Sequence, residues 1–196
     1  LVSPESAKLL MLKKSILRES PEAKLVLASY ADSDRSIGDM DMIVTATSGA
    51  GKKILDIMKV KPGCVITDVA RPLDLPAEEV AKRPDVLVIE SGEVYLPGEV
   101  RMKQIGFEDH NIVYACLAET IVLTLEGRFE NFTVGRHIEW KKVHEIYKLG
   151  LKHGMRLAAI SGVNGVFSDE DIARVRQLAL EARARQKRKS PRRTAA

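Results

Sequence analysis

Four short apolar runs in the first half of the chain constrain its fold more than any other feature. They are Leu25–Ala28, Met42–Ala46, Cys64–Val69 and Val86–Ile89, and each is apolar nearly throughout. Strands that are buried on both faces have this pattern, because polar and apolar residues do not alternate along them. Helix-like and turn-like segments separate the runs. The sequence therefore predicts an α/β fold with a Rossmann-like, doubly wound parallel sheet.

Helices are predicted on both sides of these strands. Ser3-Pro4-Glu5 marks the start of one helix, and Ser168 begins the capping sequence of a last one. Two longer helical patterns, Ile112–Glu126 and Glu139–His153, are each followed by a glycine. Met155–Ile160 is a candidate for a final strand.

The change of pattern along the chain predicts three parts. Residues 1–110 are expected to form a partial dinucleotide-binding domain, 111–182 a helical C-terminal part, and 183–196 a basic, disordered tail. The chain starts in a short apolar stub rather than at a methionine, so we expect an N-terminally truncated fragment that lacks its first strand and glycine-rich turn.

Charge and cysteine content narrow the class of protein. Of the 31 basic residues, seven lie in the tail, which leaves 24 against 27 acidic residues in the body. Such a body has no basic excess of the kind that binds nucleic acid. No apolar run is long enough to cross a bilayer. The two cysteines make neither a disulfide framework nor a zinc site, so we expect a cytoplasmic protein without a metal.

Polar or small residues end three consecutive predicted strands. Thr45, Ala46, Thr47 and Ser48 follow the second run, Asp68 ends the third, and Ser91-Gly92 follows the fourth. Ligands of open α/β sheets bind at the carboxyl ends of the strands, so these residues are predicted to bind a cofactor. Ordinary turn residues, and an ion pair between Asp68 and Arg71, are the structural alternatives.

A second glycine-containing pattern at the same place is weaker. Ser48-Gly49-Ala50-Gly51-Lys52-Lys53 superficially matches a nucleotide triphosphate loop. It departs from that motif because Ala46 occupies the first glycine position and Lys53 replaces the magnesium-binding hydroxyl. We therefore set this interpretation aside.

Cys116 is the candidate nucleophile. It lies near the predicted start of a helix, where the helix dipole favours the thiolate. A small buried side chain is the structural alternative. His110 is near enough in sequence to be considered as its proton donor.

The stretch from Cys64 to Leu157 resembles the cyanobacterial-type long-chain fatty acyl-[acyl carrier protein] reductases. The resemblance is carried by Tyr114-Ala115-Cys116-Leu117-Ala118-Glu119-Thr120, by Leu125-Glu126-Gly127, by Asn131–Arg136 and by Lys152-His153-Gly154. It implies that Cys116 takes the acyl group as a thioester and that NADPH, or NADH, delivers hydride to release a fatty aldehyde. It also implies acyl carrier protein or acyl-CoA as the donor of the acyl group.

Two other functions remain open at this stage. The cofactor half also resembles shikimate and amino-acid dehydrogenases, which would act on a small hydroxy or amino acid with Cys116 merely structural. A non-catalytic module that binds a nucleotide, or binds a partner through the basic tail, is the third hypothesis.

Overall fold

The structure is a computed structural model that describes residues 1–29, 36–47, 54–101, 109–135 and 138–189. Ser48 and the rest of the glycine-containing pattern at 48–53 lie outside the described residues, as does the tail beyond Lys189. The chain divides into two compact units, one formed by residues 1–90 and 161–196 and the other by residues 91–160.

The first unit is built on a five-stranded sheet. Its strands are β1 (Met42–Thr45), β2 (Val65–Asp68), β3 (Leu87–Glu90), β7 (Ser161–Gly162) and β8 (Gly165–Val166), and they lie in the order β1-β2-β3-β7-β8. The first three strands are parallel, whereas β7 and β8 add an antiparallel hairpin. This mixed α/β architecture confirms the predicted fold class.

The parallel strands form where the sequence has its apolar runs. Ile66 is fully buried on β2 and Val88 is nearly so on β3, in a cluster with Ile57, Cys64 and Leu75. Three of the four runs thus become neighbouring strands. The run Leu25–Ala28 is represented by a single parallel bridge between Val2 and Ala28.

The described part of the first unit contains the α-helices α1 (Ser6–Glu19), α2 (Ala77–Val80) and α5 (Asp169–Lys189), and a short 3-10 helix at Ile57–Lys59. The predicted cap of the last helix is present, because the Ser168 hydroxyl accepts from the Asp171 amide at 3.1 Å and the Asp171 carboxylate accepts from the Ser168 amide at 3.1 Å. Helix α5 continues past residue 183, where the sequence placed the start of the tail, and Arg183 donates to the carbonyl of Pro62 at 2.7 Å.

The second unit has its own antiparallel sheet, in the order β5-β4-β6. Its strands are β4 (Glu93–Tyr95), β5 (Ile112–Tyr114) and β6 (Arg156–Leu157), and its helices are α3 (Ala115–Leu125) and α4 (Trp140–Lys152). The core contains Leu96, Val113, Ala118, Val122 and Met155.

In the second unit, one helix begins later than the sequence predicted. Residues 112–114 form β5 rather than the first turn of a helix, because Val113 pairs with Val94 across the sheet and is completely buried there. The helix therefore begins at Ala115. The prediction for α4 is confirmed to within one residue at each end, with Glu139 and His153 as its caps.

The units divide after Glu90 and after Ile160, whereas the sequence pattern placed boundaries at 110 and 182. The chain returns to the first sheet at β7, where Ser161 pairs with Glu90. A strand of two residues has no sequence signal of its own. In the part of the chain that the structure describes, no helix combines the length and the apolar character needed to cross a membrane.

Candidate functional site

The carboxyl ends of the parallel strands are in register. Thr45 of β1 lies opposite Asp68 of β2, and Asp68 lies opposite Glu90 of β3. Thr45 and Asp68 are both buried. The structure thus places Thr45 and Asp68, two of the residues that the sequence proposed for cofactor binding, at the same edge, whereas Ser48 lies outside the described residues.

Asp68 uses both carboxylate oxygens to hold the loop that follows its strand. One oxygen accepts from the amide of Ala70 at 3.1 Å and the other from the amide of Leu75 at 3.0 Å. The side chain is only 1% exposed. Because hydrogen bonds to an ionised group are about twice as strong as neutral ones, Asp68 fixes the path of residues 69–75.

Asp74 has a comparable role that the sequence did not reveal. It is buried, and its carboxylate accepts from the amide of Thr47 at 3.2 Å and from the Thr47 hydroxyl at 2.5 Å. The two residues are 27 positions apart, so no local pattern could have paired them. Asp74 ties the loop after β2 to the end of β1.

Thr45 differs from Asp68 and Asp74 because its side-chain oxygen makes no hydrogen bond with the described residues. Its Oγ1 is buried and has no hydrogen-bond partner among the described residues. An unsatisfied buried hydroxyl costs free energy, so native proteins rarely contain one without a reason. Ala46, which follows it, adds only a methyl group to this edge.

Arg71 supplies positive charge near the ends of β2 and β3. It lies 3.8 Å from the carboxylate of Glu90 and also donates to the carbonyl of Ala70 at 2.9 Å. The oxygens of Asp68 are engaged with backbone amides instead.

Ser91 and Gly92 belong to the second unit. Gly92 has a φ of +92°, a conformation that favours glycine, and an added Cβ would meet open space. Its carbonyl accepts from the amide of Ala115 at 2.8 Å, at the start of α3. Gly92 therefore shapes the entry into the helix that carries Cys116.

The two cysteines are in opposite environments. Cys116 is exposed in the first turn of α3. Cys64 is completely buried, and desolvation by that burial raises the pKa of its thiol. The thiol at position 116 is therefore the one available to a reagent or ligand. His110, the proposed proton donor, is exposed.

A second interaction that the sequence did not reveal links α3 to α4. His153 lies 2.5 Å from the carboxylate of Glu126, and Lys152 donates to the same carboxylate at 2.7 Å. Hydrogen bonds from Lys152 and His153 hold the pKa of the Glu126 carboxyl below its ordinary value. Within the described ranges, no group of three or more His, Cys, Asp or Glu side chains is arranged to hold a metal ion.

The described residues form an α/β unit with a largely parallel sheet and a second unit with an antiparallel sheet. No protein-family model matches the chain. Among curated proteins, the chain is 40% identical over 118 residues to the aminotransferase PigE of Serratia sp. (strain ATCC 39006). The match includes 58% of this chain but only 13% of that relative, so the chain spans a small part of the relative's length.

This comparison corrects the function expected from the sequence. The relative is named as an aminotransferase, which does not fit reduction of an acyl thioester to a fatty aldehyde. The resemblance to acyl carrier protein reductases was therefore wrong as a guide to identity and reaction, and the dehydrogenase alternative has no support either. The expectation of NADPH or NADH followed from the same resemblance and is wrong with it.

An aminotransferase relative implies pyridoxal phosphate, a cofactor that acts as an electron sink. Enzymes hold it through a lysine and place a carboxylate beside its pyridinium nitrogen. The described carboxyl ends of β1, β2 and β3 bring no lysine to this edge. Asp68 and Asp74 are also occupied by amides and a hydroxyl. These described residues do not fit the cofactor.

Proposed function

We propose that the chain is an α/β module of an enzyme that transfers amino groups. The observation that carries this proposal is the 40% identity over 118 residues to an aminotransferase. Because the match covers 13% of that relative, the module would be a minor part of the complete enzyme.

The lysine that holds pyridoxal phosphate is, in this proposal, outside the chain. The support is the small share of the relative, 13%, that the match covers. At the described sheet edge, Arg71 lies close to Glu90. Lys52 and Lys53, which follow β1 in sequence, lie outside the described residues. Lys61 of the first unit pairs with Asp41 at 2.6 Å, and both residues precede β1 or β2 rather than follow them. No step of amino transfer is therefore assigned to these residues.

The module's own contribution is placed at the carboxyl ends of β1 and β2. Thr45 offers a buried hydroxyl that can donate or accept one hydrogen bond. Asp68 and Asp74 hold the surrounding loops in position for it. A small polar group that reaches Thr45 would satisfy this hydroxyl without displacing any described hydrogen bond.

The reaction is tested on the complete gene product that carries this sequence. It is incubated with pyridoxal phosphate, L-glutamate or L-alanine as donor, and a panel of 2-oxo acids and aldehydes as acceptors. Mass spectrometry should detect new amines that depend on the added cofactor. Absence of amine from every donor and acceptor pair, in a folded protein, would reject the proposal.

A further inference from the structure

Helix α4 carries apolar side chains on two different faces. Ile146 and Leu149 pack against the core of the second unit. Trp140, Val143, Tyr147 and Leu151 follow one another at intervals of three and four residues, which places them along one stripe of the helix. Each of these four is between 49% and 57% exposed, so the stripe lies on the face that the core does not use.

A row of positive charge borders this stripe on one side. Lys141 and Lys148 are seven positions apart and therefore lie on one line along the helix, and both are exposed. Glu145 lies between them in the same row, but its carboxylate is paired with Arg128 at 2.6 Å. In the described ranges, neither lysine has a carboxylate partner, whereas Lys152 of the same row is bound to Glu126. Two lysines that have no carboxylate partner among the described residues thus lie beside four half-exposed apolar side chains.

We propose that this stripe and lysine row, here named the α4 face, dock an acidic amphipathic helix of a partner protein. Apolar side chains of the partner, spaced by three and four residues, would cover Trp140, Val143, Tyr147 and Leu151, as in other helix-in-groove complexes. Carboxylates along one edge of the partner helix would lie beside Lys141 and Lys148. The proposal is independent of the amino-transfer reaction.

Charge argues for this occupant over an antiparallel pairing with a second copy of the chain. If two α4 helices packed antiparallel about a two-fold axis, the lysine row of one copy would lie beside the lysine row of the other. Juxtaposed like charges disfavour that pairing. An acidic helix removes this conflict and gives each lysine a partner.

Trp140 provides the readout, because it is the single tryptophan of the chain and lies in the α4 face. The 196-residue chain is titrated with a synthetic helix of about 18 residues that has leucines on one face and glutamates on the other. We expect a saturable blue shift of the tryptophan emission. A peptide with lysine in place of every glutamate should give no shift.

Matched charge reversals locate the contact. Lys141→Glu with Lys148→Glu should weaken peptide binding by about tenfold or more. Lys14→Glu with Lys24→Glu changes the net charge equally on exposed lysines of the first unit and should leave the affinity within about twofold. Tyr147→Ser with Leu151→Ser should also weaken binding, with unchanged helical circular dichroism as the check on folding.

Three results would overturn the proposal. The first is equal weakening by both pairs of charge reversals. The second is a Trp140 shift with phosphatidylglycerol-containing vesicles but not with the acidic peptide, which would indicate a lipid surface. The third is concentration-dependent self-association that is lost in Tyr147→Ser with Leu151→Ser, without peptide binding, which would indicate a second copy.

Discussion

The Asp74 carboxylate accepts two hydrogen bonds from Thr47, one from its amide at 3.2 Å and one from its hydroxyl at 2.5 Å. Asp74 is only 6% exposed, whereas Thr47 is exposed, so replacement of Asp74 removes two hydrogen bonds to its carboxylate. We expect Asp74→Ala to lower the free energy of unfolding by about 2–3 kcal/mol in urea titrations. A double-mutant cycle with Thr47→Ala should give a coupling of about 1 kcal/mol. Additive losses would contradict this contact.

Thr45→Val is expected to raise the free energy of unfolding, whereas Asp74→Ala is expected to lower it. The substitution keeps the shape of the side chain and removes a buried hydroxyl that has no partner among the described residues. We expect the free energy of unfolding of the protein without ligand to rise by about 1 kcal/mol, measured as a higher urea midpoint. Thr45→Ser, which keeps the hydroxyl, is the control. A destabilised valine variant would mean that the hydroxyl is satisfied in solution.

The two thiols should react at very different rates. Cys116 is exposed, whereas burial both shields Cys64 and raises the pKa of its thiol. Treatment of the native chain with iodoacetamide should modify Cys116 first, and Cys116→Ser should abolish the fast phase. The expected result is one rapid adduct by intact mass, with a second appearing after denaturation. Modification of Cys64 at the same rate would contradict the burial of its side chain.

Arg83 and Asp85 should confer a measurable dependence of stability on pH. Arg83 donates to both Asp85 oxygens at 2.8 Å and to the carbonyls of Ile57 and Val60 at 2.9 and 2.7 Å. The hydrogen bond from Arg83 holds the pKa of the Asp85 carboxyl below its ordinary value. The ionised form is therefore favoured by folding, and its contribution is present above the unfolded pKa of about 4.

That contribution is lost as the pH falls through the lowered pKa of the folded state. We expect Asp85→Asn to cost about 2 kcal/mol at pH 6, and the difference from the parent protein to shrink steadily below about pH 4. Urea unfolding of both proteins at a series of pH values measures this difference in the free energy of unfolding. Taking the difference between the two proteins cancels other titrating groups. A difference that stays constant down to pH 2, on the order of the pH 6 value, would contradict the ion pair.

The sequence predicted the parallel part of the fold because burial on both faces leaves a visible pattern. Ile66 and Val88 lie in uninterrupted apolar runs, and those runs became β2 and β3. The Ser168 cap could likewise be predicted from the sequence, because its partner Asp171 is only three residues away.

The second unit was not predictable in the same way. β6 lies within the predicted strand Met155–Ile160, but β5 has only three residues and carries no periodicity. The pairing of both strands with β4 joins residues far apart in sequence. The sequence pattern predicts a helix at Val113, where the structure has β5, because an apolar run that precedes a helix fits both a strand and a helix.

The candidate site was predictable in position but not in detail. The edge that holds Thr45 and Asp68 follows from strand direction alone. The hydrogen bonds that the amides of Ala70 and Leu75 donate to Asp68 could not be predicted, because backbone donors have no sequence signature. The proposed role of Cys116 as a nucleophile stays a prediction.

The most direct test of the account is to locate the lysine that binds pyridoxal phosphate in the complete gene product. Borohydride reduction of the cofactor-loaded protein fixes the cofactor to that lysine, and peptide mass spectrometry identifies it. The account predicts one labelled lysine outside residues 1–196. A label on any lysine of this chain, or no label on a folded and cofactor-treated protein, would contradict it.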